Sequence, residues 1–369
     1  MTHGGDVYTV SKLLGKNFKH IVDLSSSVNP LPLPAEIKEK LIESLDFIDR
    51  YPDTETRLFR ETFSQVYSIP VENIICGNGS TELIYLVVQA LSPKKALILE
   101  PTFTEYERAC RLHKVHVEKV FSLDKDELIA LVEKALSKNS YDMIFICNPN
   151  NPTGWLFEKD KILNLIKRAK DTVFVIDEAF IDFAEEETLI YHAKDLENVI
   201  VLRSLTKFYG LAGLRFGYGV SQKKLIEKLK NFSQPWNVNT LAQVAGTEII
   251  KHKEFKRKSL EFFKKEKEFL EKSFYRKGID YFPSVANFYL LKLPDGGFAK
   301  YILEKGILVR DCSNFCGLDD RFIRISVKTR PENERILKEL ENWLDIKKQE
   351  VKIEENNNSS SWKSQKICQ

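Results

Sequence analysis

Four short stretches of this sequence place reactive or ligand-holding residue types where a fold could use them. In Val173-Phe174-Val175-Ile176-Asp177-Glu178, four apolar residues run into two acids. That is the pattern of a buried strand delivering a carboxylate at its C-terminal end, the edge where open α/β sheets bind ligands. A magnesium-holding strand of a nucleoside triphosphatase looks the same, but it requires a G-x-x-x-x-G-K-[ST] loop, and the sequence has none. For Asp177 alone, an acid capping the next helix is the plain alternative. In Gly77-Asn78-Gly79-Ser80-Thr81-Glu82 a strand runs through glycines into a helix. Backbone N–H groups at such a helix start can hold an anion. A helix cap by Ser80 or Thr81 explains the same residues, and Glu82 stands where a dinucleotide fingerprint has its third glycine. Ser204-Leu205-Thr206-Lys207, with Arg215 further on, puts a lysine in a hydroxyl-rich turn. A lysine in apolar surroundings sheds its proton more readily and serves as an amine nucleophile. Ser204, Thr206 and Arg215 suit a phosphate; a surface lysine is the alternative. The turn Asn148-Pro149-Asn150-Asn151-Pro152-Thr153-Gly154 is rigid and presents the Asn151 amide, though alone it is only a loop.

The elements that must position these groups alternate. Short apolar runs at 73–76, 95–100, 143–147, 173–176, 199–202 and 216–220 read as strands, and helical periods at 82–90, 105–112, 125–137 and 158–170 separate most of them. Such alternation argues for an α/β fold with a mostly parallel central sheet between helices. A long, highly charged helical stretch follows at 242–277, then strands at 289–293, 307–310 and 322–327 and a helix at 331–344, which together read as a smaller α+β domain. Residues 347–369 include Asn-Asn-Asn-Ser-Ser-Ser and read as a disordered tail. The balance of 56 Lys+Arg against 53 Asp+Glu gives no reason to expect nucleic acid as a partner. No apolar run is long enough for a membrane span, and the N-terminus lacks a secretory h-region. The six cysteines are scattered, as in a reduced cytoplasmic protein. Only Cys312 and Cys316 are close, with no further ligands to complete a zinc site, so no metal is expected.

Each chemical stretch is ambiguous by itself; the set, in this order, is not. Over about residues 3–345 it resembles the fold-type I pyridoxal-phosphate enzymes of the class I/II aminotransferase superfamily. Within that superfamily it resembles the histidinol-phosphate aminotransferase branch and its threonine-phosphate decarboxylases. The residues carrying this are His3-Gly4-Gly5, Asp23 to Asn29-Pro30-Leu31, Arg50-Tyr51-Pro52-Asp53, Asp177 to Phe183, Arg203 to Tyr209, Gln234 to Asn239, and Arg310 to Asp319. The resemblance implies a fold-type I architecture: an N-terminal arm (1–30), a large cofactor-binding domain (31–245), a small domain (246–346) and the tail. It implies pyridoxal 5′-phosphate as cofactor and a homodimer with shared active sites.

By the same resemblance, Lys207 anchors the cofactor covalently and Asp177 pairs with its pyridine nitrogen, which makes the ring an electron sink. Gly79, Ser80, Thr81, Ser204, Thr206 and Arg215 hold its phosphate. Phe103 stacks on the ring, with Tyr106 as second choice. Tyr51 reaches the phosphate from the neighbouring subunit. Phe180 stands where aminotransferases of this superfamily usually carry a tyrosine on the cofactor O3′, which leaves Asn151 as the partner there. Arg324 takes the substrate carboxylate, and His3, Asn29, Lys328 and Arg330 are candidates for a substrate phosphate. The implied reaction converts L-threonine O-3-phosphate to 1-amino-2-propanol O-2-phosphate, or L-serine O-phosphate to ethanolamine phosphate, for the nucleotide-loop linker of cobalamin. One methyl group distinguishes the two substrates and is worth only ~1–3 kcal/mol in a pocket. A histidinol-phosphate-type aminotransferase shares the scaffold and is the alternative. A catalytically silent member of the fold is disfavoured by intact Lys207 and Asp177.

Overall fold

The computed structural model describes residues 3–364, with side chains as far as Glu350. Its strands are β1 (Val22–Asp23), β2 (Ile74–Gly77), β3 (Lys95–Glu100), β4 (His116–Phe121), β5 (Met143–Cys147), β6 (Val173–Asp177), β7 (Val199–Ser204), β8 (Gly217–Ser221), β9 (Asp280–Tyr281), β10 (Phe288–Lys292), β11 (Ile307–Leu308), β12 (Arg310–Asp311) and β13 (Phe322–Ser326). Seven form one sheet in the order β2-β8-β7-β6-β5-β3-β4. From β4 to β7 neighbours are parallel, and β8 runs antiparallel between β7 and β2. Helices cover both faces, so β5 is buried along its whole length and reads as a continuous apolar run instead of an alternating one. Ile144 and Ile146 enter one core with Phe59, Phe63 and Phe216. Phe145 and Cys147 enter the other with Leu83 and Val87.

Strand β4 was not evident in the sequence. It lies at the sheet edge with β3 as its partner, and its His-Val-Glu-Lys-Val-Phe is only partly buried. A charged, half-wet edge strand lacks the apolar signature of its neighbours.

A second, antiparallel sheet runs β12-β13-β10-β9. Phe263 and Leu270 of helix Lys253–Lys277, with Leu340 of helix Arg330–Ser364, pack onto Tyr289 and Ile323 of that sheet. The run 307–310, read as one strand, divides between sheets: β11 pairs in parallel with β1, while β12 pairs with β13. The stretch 242–277 is likewise two helices, Thr240–Ile249 and Lys253–Lys277. His252 breaks it, its Nδ1 accepting the Phe255 N–H at 3.0 Å as a cap. The expected boundary at 245 falls inside the first of these helices. Ala245, Ile249 and Phe255 all belong to the core that holds Phe59.

Residues expected to be disordered from 347 continue the last helix to Ser364; residues 365–369 lie outside the described part. Neither Pro nor Gly interrupts 332–364. Lys347 pairs with Glu350 at 2.8 Å and Asp295 at 3.0 Å and lies over the Trp343 ring. Among the described residues, no helix is long and apolar enough to cross a membrane.

Candidate active site

The C-terminal ends of β2, β3, β5, β6 and β7 and the start of β8 share one edge of the large sheet, because β8 alone runs backwards. The turns there line a cavity of about 360 Å³, within the usual size of small-molecule sites. Lys207 faces it from the turn after β7. Burial, then the cations Arg324, Arg215 and Lys328, push its ammonium down to about 8. Asp177 ends β6 and is buried. Its Oδ2 accepts the Tyr106 hydroxyl at 2.7 Å and its Oδ1 the Ala179 N–H at 3.0 Å. Burial raises its pKa, and those two bonds work against the rise.

An anion cradle lies beside them. Helix Gly79–Leu91 has Asn78 at its N-cap with no side-chain cap bond. Ser80 and Thr81 therefore sit inside the first turn, where open N–H groups and the positive helix end favour an anion. Ser204 and Thr206 hydroxyls lie 2.7 Å apart at the next turn. Arg215 closes the cradle from a left-handed backbone, φ 61°, a conformation that costs a non-glycine residue of order 1 kcal/mol and tends to persist at functional sites. A Cβ at Gly79 would overlap the Arg215 guanidinium, and one at Gly217 would overlap the Ser80 backbone nitrogen. Glycine at both positions is what lets β8 and Arg215 close on the helix start.

The opposite wall carries Arg324, Asn151 and the N-terminal segment. Arg324 donates Nη1 to Asn151 Oδ1 and Nη2 to the Ser25 carbonyl at 2.7 Å. Its Nε is buried without a partner, and burial lowers its pKa to about 10. Accepting from Arg324 leaves Asn151 with its NH2 to offer a ligand. Phe180 is buried edge-on to Phe288, centroids 4.9 Å apart, and lines the cavity. Phe103 lines it also, with His3 6.1 Å away.

Of the residues singled out in the sequence, His3, Ser80, Thr81, Phe103, Asn151, Asp177, Ser204, Thr206, Lys207, Arg215 and Arg324 all line this one cavity. Four others do not. Asn29 spends its NH2 on the Phe208 carbonyl and Ser259 Oγ, both at 2.8 Å, and its oxygen on the Leu31 N–H, so it holds the chain and leaves the substrate set. Lys328 turns its Nζ to the Val28 carbonyl at 3.1 Å. Arg330 pairs with Glu266 at 3.0 Å and lies over Phe269, outside the cavity. Tyr51 is 79% exposed and stacks on Trp236 at 4.5 Å; within one chain it meets none of the site. Tyr106 is not a stacking face for a ligand: it is fully buried, flat against Phe145, and directed at Asp177. Sequence reasoning missed Arg310, Arg108 and Glu105 on the wall. Glu105 stands in the same Pro-Thr-Phe-Thr-Glu-Tyr stretch as Phe103, which was the available signal.

Comparison with known proteins agrees with this geometry. The family model described as aminotransferase class I and II matches residues 19–340. The chain is 34% identical over 351 residues to a threonine-phosphate decarboxylase of Salmonella typhimurium, covering 93% of this chain and 96% of that one. It is 33% identical over 343 residues to a histidinol-phosphate aminotransferase of Methanocaldococcus jannaschii, covering 90% and 91%. Among solved structures, L-threonine-O-3-phosphate decarboxylase from Porphyromonas gingivalis superposes with a TM-score of 0.79 at 31% identity, covering 88% of this chain and all of that one.

Proposed function

The chain belongs to the aminotransferase class I and II family and is an enzyme whose cofactor is pyridoxal 5′-phosphate. From that premise we propose that it decarboxylates a phosphorylated hydroxy-amino acid, L-threonine O-3-phosphate or L-serine O-phosphate, in the cytoplasm, as a step toward the cobalamin linker. One observation carries the reading. His3, of the His-Gly-Gly stretch, and Phe180, standing where aminotransferases of this superfamily usually carry a tyrosine, are the residues whose resemblance favours a decarboxylase, and both lie on the wall of the cavity that holds Lys207. The full-length likeness to threonine-phosphate decarboxylases supports it.

The residues present fit the cofactor. The uncapped helix start, the Ser204–Thr206 hydroxyl pair and Arg215 suit its phosphate, in a cradle any Cβ at Gly79 or Gly217 would fill. Asp177 is a buried carboxylate with one partner on each oxygen, suited to a protonated ring nitrogen. When bound, the cofactor supplies a sink for the electron pair left at Cα. The rest falls to the protein. Lys207 holds the covalent link and, with its amine pushed down to about 8, can return a proton to Cα. Arg324 receives the substrate carboxylate, for which bidentate guanidinium geometry is suited. With the electron sink supplied by the bound cofactor, the bond to Cα that breaks would be set by how the site's own residues hold the substrate, so orienting its carboxylate, the role given to Arg324, would be the chain's decisive act.

A homodimer with Tyr51 crossing to the neighbouring site is part of this proposal. Supporting it, Ile42, Phe47, Ile48, Tyr51, Leu58 and Trp236 are all exposed, with Tyr51 stacked on Trp236, and large apolar side chains left in water are what a partner subunit would cover. The likeness to histidinol-phosphate aminotransferases favours a second reading, transamination. The deciding experiment is carbon dioxide release from threonine phosphate and serine phosphate, with histidinol phosphate plus 2-oxoglutarate alongside. Stoichiometric carbon dioxide with a phosphorylated amine is expected. Glutamate without carbon dioxide would overturn the decarboxylase in favour of the aminotransferase.

A further inference from the structure

Among the described residues, the cavity wall carries two carboxylates, Asp177 and Glu105. The second has no part in the scheme above, and an anion beside a site for a phosphorylated substrate is unfavourable unless it is neutralised. Glu105 is neutralised. It is 5% exposed, its Oε1 lies 3.0 Å from His3 Nε2, and its Oε2 accepts the Tyr85 hydroxyl and, at 3.3 Å, Arg108 Nη1. Burial and Glu105 itself push the Tyr85 hydroxyl up to about 12, so Tyr85 remains a donor. A carboxylate only accepts, so His3 Nε2 must carry the proton of that contact; Nδ1 is the ring atom left for a ligand, and it donates to a phosphoryl oxygen in the imidazolium form, with both ring nitrogens protonated.

His3 reaches Glu105 from a segment shaped to deliver it. A Cβ at Gly4 would overlap the Ser25 carbonyl, and Gly5, at φ 85°, donates its N–H to Ser25 Oγ at 2.7 Å. The same Ser25 carbonyl receives Arg324 Nη2. The segment is therefore fixed at Ser25, beside the expected carboxylate site, and at Glu105, across the cavity wall.

We propose that Glu105 is a positioning residue: it holds the His3 imidazole against the cavity so that Nδ1 meets the phosphoryl group, and it thereby sets the preference for phosphorylated over unphosphorylated substrates. The phosphorylated substrate rests on the function proposed above; the His3–Glu105 pair does not. The test uses holoenzyme and the variants Glu105→Gln, His3→Gln and the double. Without substrate, backbone hydrogen exchange over residues 4–14 should quicken several-fold in Glu105→Gln. With threonine phosphate, KM should rise about tenfold in either single variant, the loss expected for one charge-assisted hydrogen bond, with kcat within about twofold. The double variant should be no worse than either single one, because Glu105 acts through His3, and unphosphorylated threonine should show no change. Unchanged exchange, multiplied losses in the double variant, or equal losses with and without the phosphate would overturn the proposal. If the reaction proves to be transamination, the same KM comparison with histidinol phosphate decides the pair. If Glu105→Gln does not fold, the half-exposed His3→Gln carries both readouts.

Discussion

Replacing Tyr106 by Phe isolates one atom. The ring is fully buried and stacked on Phe145 at 5.1 Å and 13°, so Phe preserves the packing and deletes only the hydroxyl. That hydroxyl donates to Asp177 Oδ2 at 2.7 Å and is one of the two bonds opposing the burial-driven rise of the Asp177 pKa. A hydrogen bond to a charged group is worth about 1.5–3 kcal/mol net. The apoprotein escapes most of this loss by protonating Asp177, whereas the cofactor-bound form, which on our proposal needs the carboxylate ionised against the ring nitrogen, does not. The loss should therefore appear in cofactor affinity, as a Kd raised on the order of 10- to 100-fold, while the apoprotein's melting temperature moves little. Titrating apoprotein with pyridoxal phosphate and following the bound-cofactor absorbance measures it. A Kd within twofold of the unaltered protein would refute the reasoning and leave the Ala179 N–H as sufficient support for Asp177.

Two further outcomes follow from titrating groups. Lys207 is held near 8 by burial and neighbouring cations, below the ordinary lysine range, so the attacking free amine increases with pH until about 8. Covalent capture of pyridoxal phosphate by apoprotein should quicken about tenfold per unit below that pH and level off above it, by stopped-flow absorbance. A flat profile from pH 6.5 to 9 refutes the assignment, and Lys207→Ala should show neither capture nor turnover. Glu100 is 4% exposed and burial pushes its carboxyl up to about 7. Its contribution to stability is present below the unfolded value near 4.5 and is lost as pH rises through 7, about 3 kcal/mol in all. Glu100→Gln keeps an acceptor for the Thr102 N–H and removes the titration, so its advantage over the unaltered protein should grow between pH 4.5 and 8 in urea denaturation. A constant difference across that range would count against the buried-acid account.

The large sheet was legible because its interior strands are buried on both faces and are therefore apolar throughout. The cavity's turns were legible because glycine, proline and hydroxyl residues recur at fixed offsets from those strands. Edge strand β4 was not, since half of it faces water. The division of 307–310 between two sheets was not, since both strands are short and the partner of one lies near residue 22. Asn29, Lys328 and Arg330 are residue types that fit a phosphate, but hydrogen-bonding capacity says nothing of which acceptor a side chain meets. Asn29 met the Phe208 carbonyl, Lys328 the Val28 carbonyl and Arg330 the Glu266 carboxylate.

By itself the sequence determined the chemical inventory and its order: Asp177 at a strand end, Lys207 and its hydroxyl neighbours after another, glycines at the helix start, and His-Gly-Gly before all of them. These are local facts, dictated by residue type and by strand and helix periods. Only the tertiary structure decided which of them share a cavity. Residues 3 and 105 meet, and share a cavity with 324, because the N-terminal segment is pinned at Ser25 and β13 sets Arg324 against Asn151. Such contacts depend on long-range packing, which spacing along the chain does not encode.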